Sequence, residues 1–230
     1  PHPFHTVSID FITGLPVTES GSTVLLTAMC LFTRWPMAWP QQTKSSRETA
    51  QTLYRHVICQ HGCVPRLLSD MDGAFTSALS KDLAKRMGIQ KIETTRWHPA
   101  GNGVLERWHR YLNATMTQCL NKKKDNWEDC IDAILFAYRI SVQESTQMSP
   151  FKALYGRDPV LPVDIILGLD TDSPMRDRDA HWGNTVMTKL KALWAESLTS
   201  QIKAAERNRE RAEELKNNGF IRYEKGDWVL

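Results

Sequence analysis

A chain of 230 residues, 41% hydrophobic and 24% charged, is long enough for one good core plus a smaller appendage or extended arm, and it reads as soluble and globular. The net charge of +3 is only mildly basic, which permits nucleic-acid binding without pointing to it. No run approaches the ~18 apolar residues needed to span a bilayer, and PHPFHTV lacks the basic-then-apolar layout of a secretory signal, so neither a membrane nor a secreted protein is expected.

The five cysteines (Cys30, Cys59, Cys63, Cys119, Cys130) are odd in number and scattered, which argues for free thiols in a reducing compartment. Cys59, His61 and Cys63 do not form a standard zinc pattern, and no second ligand pair follows nearby.

In chain order, Thr6 to Phe11 is short and β-prone, with Asp10 the one acid in an apolar run. Residues 23 to 32 (TVLLTAMCLF) suit a buried strand, and 36 to 40 (PMAWP) a proline-bounded third strand at the edge of an antiparallel meander. Ser45 with Glu48 reads as a capping box opening a helix with Ala50, Leu53, Tyr54, Val57 and Ile58 at helical spacing, and Gly62 ends it. RLLS, 66 to 69, is a short strand that delivers Asp70. A second helix over Ser77 to Met87 buries Leu79, Leu83, Ala84 and Met87, Gly88 stops it, and IQKIETT is a further strand. This order calls for a mixed sheet flanked by helices.

Pro99, Gly101 and Gly103 make 95 to 103 a loop. In the helix after it, Leu105, Trp108, Leu112, Met116 and Cys119 share one face, and Glu106, Arg110, Asn113 and Thr117 share another, a surface suited to a phosphate backbone. Residues 127 to 140 form an amphipathic helix through Trp127, Ile131, Ile134, Leu135 and Tyr138. SPFKALYGRDPVLPVD, 149 to 164, gives a one-turn helix and a proline-bounded extended stretch, and 168 to 180 reads as a linker. A long helix over 183 to 217 carries Met187, Leu190, Trp194, Leu198 and Ile202 at packing spacing, then a solvated, charged arm (AERNRERAEELK); FIRYEKGDWVL begins a β-segment.

Three carboxylates brought together from two strands and a helix repel one another unless divalent cations compensate them. Two Mg²⁺ or Mn²⁺ ions ~4 Å apart suit oxygen-only ligation and also position an attacking oxygen opposite a leaving oxygen on a phosphodiester. An acid inside an apolar strand, as at Asp10, is costly unless paired or metal-bound. Asp72, two residues past Asp70 and on the same face if the strand continues, is a rival that spacing alone does not eliminate.

IDFITGLP, SDMDGAF, HPAGNGVLER and SPFKALYGRDPVLP, in that order, resemble the motifs of the integrases of gypsy-type LTR retrotransposons and their retroviral relatives, over about Pro3 to Asp164. The 35 residues between Asp70 and Glu106 match that family's spacing. Its second motif reads Ser-Asp with an aromatic five residues on, which Ser69, Asp70 and Phe75 satisfy, so the resemblance favours Asp70 over Asp72. It implies an α/β, ribonuclease-H-like mixed five-stranded sheet as a catalytic core over 1–148. A post-core signature helix and proline-bounded linker over 149–182, the long helix to 219, and the first strand of a small β-barrel over 220–230 would follow.

The resemblance also implies that Asp10, Asp70 and Glu106 are the ligands of the metal ions, Mg²⁺ or Mn²⁺; of the three, Asp10, in the most buried strand, is expected to bridge both ions. The implied activity is trimming of element-DNA 3′ ends and their transfer into target DNA. Arg110 and Asn113 match helix positions that contact DNA in relatives; Thr117, Arg107, His98 and Asn102 complete the expected DNA-binding set. A homo-oligomer acting in the nucleus, and present in the cytoplasm before nuclear entry, is implied too. Among departures, Cys30 stands where the family often has an aspartate, Met71 and Asp72 replace Arg-Gly, and His109 replaces a frequent asparagine. Other readings are a domesticated integrase fold kept as a DNA-binding or interaction module, and a DNA transposase with the same core.

Overall fold

The computed structural model describes residues 2–93, 103–121, 125–169 and 182–218. The expected loop up to Asn102, most of the linker, and the C-terminal β-segment lie outside the described residues.

Three strands open the chain: β1 (Thr6–Ile12), β2 (Val24–Cys30) and β3 (Pro36–Gln41). Helix α1 (Ser46–Leu53) starts as expected, the Ser45 hydroxyl accepting the Glu48 N–H at 3.1 Å. The box is only half reciprocal, because the Glu48 carboxylate accepts from the Gln42 N–H and the Thr43 hydroxyl instead. A π-helical turn (Tyr54–Ile58) and α2 (Cys59–His61) prolong this helix. The wide turn shifts the helical phase, so Tyr54 is 47% exposed although its spacing predicts packing. Beyond Gly62 come β4 (Arg66–Ser69), α3 (Gly73–Thr76), α4 (Ala78–Arg86) and β5 (Gln90–Glu93).

The sheet order is β3-β2-β1-β4-β5. β1, β2 and β3 pair antiparallel with β3 at the edge, whereas β4 runs parallel to both β1 and β5. Alternation sorts the side chains between two cores. Val7, Ile9, Phe11, Val24, Leu26 and Ala28 face one core, and Ile12, Leu25 and Met29 face the other. Asp10 and Thr27, opposite each other in the ladder, therefore belong to the second face.

That second face is covered by α5 (Gly103–Cys119) through Leu105, Trp108, Leu112 and Met116, and by α6 (Trp127–Ile140) through Trp127, Ile131, Ile134, Leu135 and Tyr138. Cys119, expected on the packing face, is exposed in the last turn. Helix α7 (Pro150–Tyr155) ends at Gly156, whose φ of 72° favours glycine and where an added Cβ would meet Leu190 Cδ2 at 2.7 Å. The stretch expected to be extended after it contains α8 (Pro162–Ile166), because Pro162 sits at the first helical position, where its missing N–H costs nothing.

Helix α9 (Trp182–Asn218) packs Trp194 and Leu198 against the first core, and the Trp194 indole donates to the Ala153 carbonyl at 2.9 Å. Met187 and Ile202, also expected to pack, are about half exposed.

Candidate active site

Register explains why two acids meet. Thr6, Val7 and Ser8 of β1 pair in parallel with Arg66, Leu67 and Leu68 of β4, so the same offset carried forward sets Asp10 beside Asp70, one residue past the end of β4. The Phe11 N–H donates to Asp10 Oδ1 at 2.7 Å, and the Asp72 N–H donates to Asp70 Oδ1 at 3.0 Å. Burial pushes the Asp10 carboxyl up to about 6; the Phe11 N–H opposes this, the Asp70 charge adds to it, Lys44 pulls the other way, and Asp72 raises it again.

Asp72 is not on the strand. It caps α3, accepting the Ala74 N–H at 3.0 Å, and pairs with the Lys44 ammonium at 2.8 Å. Burial alone would raise its carboxyl, but Lys44 and the Ala74 N–H hold it below the usual range. Its oxygens are thus engaged elsewhere, and Asp70 is the partner of Asp10.

Two residues not expected at the site approach it. Lys44, besides holding Asp72, lies 5.5 Å from the centre of the Phe11 ring. His109 Nε2 lies 2.8 Å from the Thr27 hydroxyl, which donates its one proton to the Asp10 carbonyl at 2.9 Å. The imidazole must then donate from Nε2, which leaves the Nδ1 lone pair 3.9 Å from Asp10 Oδ2. Burial pushes His109 down to about 4, so the ring is neutral near pH 7 and this approach is no ion pair. Sequence flags His109 only as a departure in a motif; its contact with Thr27, 82 residues away, is what the fold adds.

Glu106 is exposed in the first turn of α5, one turn before His109 and on the same side of the helix. Among the described residues no group of three His, Cys, Asp or Glu side chains is arranged to hold a metal ion. Arg107, Arg110, Asn113 and Thr117 are exposed on the same helix, although the Thr117 hydroxyl donates to the Asn113 carbonyl at 2.7 Å, leaving only its lone pairs for a ligand. His98 and Asn102 lie outside the described residues.

The raised carboxyl has a consequence for stability. The folded protein holds a proton on Asp10 up to about pH 6, whereas an unfolded chain releases it near the ordinary value of 3.8. The penalty of the buried charge is therefore absent below that ordinary value and complete above the folded one. Asp10→Asn is expected to stabilise the protein in chelating buffer by about 1–2 kcal/mol near neutral pH, discounted for partial solvent screening, with the gain vanishing at about pH 4. Urea unfolding at the two pH values measures it.

The integrase core domain family matches residues 1–99. A Pol polyprotein from transposon 412 of Drosophila melanogaster is 27% identical over 161 residues, covering 70% of this chain and 13% of that protein. A Tf2 transposon polyprotein of Schizosaccharomyces pombe is 26% identical over 160 residues, covering 69% and 12%. The chain thus spans about an eighth of the length of these relatives.

Among solved structures, a chain of the simian T-cell lymphotropic virus intasome superimposes with a TM-score of 0.56 at 17% identity, covering 70% of this chain and 57% of that one. The HTLV-2 integrase catalytic core domain, solved in complex with magnesium in a trimeric form, gives 0.54 at 14% identity, covering 66% and 96%. The five-stranded sheet with its flanking helices is the ribonuclease-H-like fold of these cores. With that fold, the core domain matched over residues 1–99 and these transposon relatives, the chain is similar to the integrases of retrotransposons.

Proposed function

We propose that this chain is the catalytic part of a metal-dependent polynucleotidyl transferase, which trims the 3′ ends of element DNA and joins them to target DNA by in-line attack of the 3′-hydroxyl on a phosphodiester. The observation that carries the reading is the juxtaposition of Asp10, within β1, and Asp70, just past the end of the parallel β4, on the sheet whose Asp10 face is covered by the helix that bears Glu106. A largely buried carboxylate beside a second one, with a single N–H donor, is a site short of positive charge. Its oxygen donors fit a hard divalent cation rather than zinc. Asp10, Asp70 and Glu106 would hold Mg²⁺ or Mn²⁺. When bound, two such ions activate the attacking oxygen and stabilise the leaving one.

The protein's own part is positional. The Phe11 N–H orients the Asp10 carboxylate, and Lys44 draws Asp72 away from the pair. Arg107, Arg110 and Asn113 offer donors to a phosphate backbone along α5. Assembly as a homo-oligomer on paired DNA ends, with element-end and target DNA as partners and the nucleus as the site of action, belongs to the same proposal.

Incubating the protein with a short donor duplex and a plasmid target tests the reading. Joined products are expected with Mg²⁺ or Mn²⁺ and not with a chelator, and equal joining in both removes the metal from the scheme. That no group of three His, Cys, Asp or Glu side chains among the described residues is arranged to hold a metal ion favours one second reading, a fold retained as a DNA-binding module. Calorimetric titration separates the two, since a chain with no divalent-ion affinity supports the module.

A further inference from the structure

Beside α5 an open cleft of about 430 Å³ is lined by Arg34, Arg107, Arg207 and Arg211 with Glu144 as its one acid. Among the described residues none of the four guanidiniums has a carboxylate within 4 Å. Arg34 is the anchor. Sitting in the β2–β3 turn with 9% of its surface exposed, it donates to the Leu31 carbonyl at 2.7 Å, the Gln201 side chain at 3.2 Å and the Ser145 hydroxyl at 3.3 Å. All three acceptors are neutral, and a guanidinium has five N–H groups, so two remain for a ligand. Burial pushes Arg34 down to about 10, and the neighbouring Arg107 charge adds to that.

Arg207 and Arg211 stand one turn apart on the cleft side of α9. Like charges at that spacing weaken a helix, and a helix stabilised by its own charges would set opposite signs there, as Arg209 and Glu213 do at 3.1 Å. The charged half of α9 is solvated and carries the Arg209–Glu213 pair, and it also sets Arg207 and Arg211 along the cleft. Four cations converging, with Glu144 alone opposing them, on a space many times larger than one phosphate group suit a stretch of phosphodiester backbone, which guanidiniums grip in bidentate fashion.

We infer that this cleft between α5, the β2–β3 turn and α9 is a second nucleic-acid site, holding the sugar-phosphate backbone of a strand outside the chemical centre. The choice of a polynucleotide over an acidic peptide rests on the function proposed above, since Arg107 is the residue next to Glu106 on α5.

Equilibrium binding of a fluorescein-labelled duplex, followed by anisotropy in chelating buffer across a salt series, tests this without any joining reaction. Arg207→Gln with Arg211→Gln is expected to weaken binding about tenfold or more and to lower the salt slope by about 2, one unit per phosphate contact. Lys203→Gln with Arg209→Gln removes the same charge from α9 outside the cleft and is expected to change affinity less than about twofold. Equal losses in the two double variants, or an unchanged slope in the first, overturn the inference, the latter leaving the cleft to an acidic peptide. Loss of joining in the unmodified protein, with its DNA binding intact and sensitive to Arg207 and Arg211, counts against the proposed function alone. Because both arginines are exposed, circular dichroism of the variants is expected to match the parent, and any loss of helix is read against Arg34→Gln as a second cleft variant.

Discussion

Glu106→Gln is expected to lower strand transfer by about a thousandfold or more while moving stability by less than about 0.5 kcal/mol. The substitution keeps the size of the side chain and its position in the first turn of α5, where Glu106 is exposed and forms no hydrogen bond or ion pair among the described residues. Nothing in the fold depends on its charge except a favourable placement near the helix N-terminus, a matter of tenths of a kcal/mol. If the carboxylate instead shares divalent ions with Asp10 and Asp70, replacing it removes one anchor of the charge that stabilises a pentacovalent phosphorus. Asp70→Asn is expected to act alike, and the double variant to be no worse than either alone, since groups that act as a unit are not additive. Gel analysis of joined products checks this, with duplex binding as the control that should not move. Retained strand transfer in either variant would sink the proposal.

Trp127→Ala is expected to have the largest effect on stability, a loss of about 3–5 kcal/mol and a fall of about 10 °C in Tm. Trp127 is fully buried in the core beneath α5 and α6, and its indole N–H donates to the Pro16 carbonyl at 2.8 Å. Truncation therefore opens a cavity and also frees the β1–β2 connection from the start of α6. Trp127→Phe keeps the packing but not the donor, and should cost about 1–2 kcal/mol. Urea denaturation measures both. A loss below about 1 kcal/mol for the alanine variant would mean that the neighbouring Ile131, Leu135 and Leu25 side chains collapse into the space.

Much of this architecture is written in local pattern. Short β-prone and apolar runs marked β1 through β3 to within a residue or two, Ser45 announced α1, and the buried sets of α5 and α6 agree with their spacing, Cys119 excepted. What pattern could not carry depends on partners distant in sequence. The Tyr54 phase is set by a π turn, which no periodicity of 3.6 anticipates. His109 gains its orientation from Thr27, and Thr27 is beside Asp10 only because two strands pair in that register. Asp72 was separated from Asp70 by Lys44 and the α3 cap, both invisible to spacing. The arginine cleft escaped notice for the same reason: along α9 the charges look balanced, and their convergence with Arg34 and Arg107 exists only after folding.

The parallel pairing of β1 with β4 also bears on how the protein matures. The β1–β2–β3 meander can form from neighbouring segments, but Asp10 and Asp70 become neighbours only after an offset of 60 residues has been closed. Closure of that length is slow and entropically costly, so it tends to follow the hairpins. The chemical centre is thus born late, at the step that docks β4. A chain arrested before it would hold three of the five strands but not the paired acids.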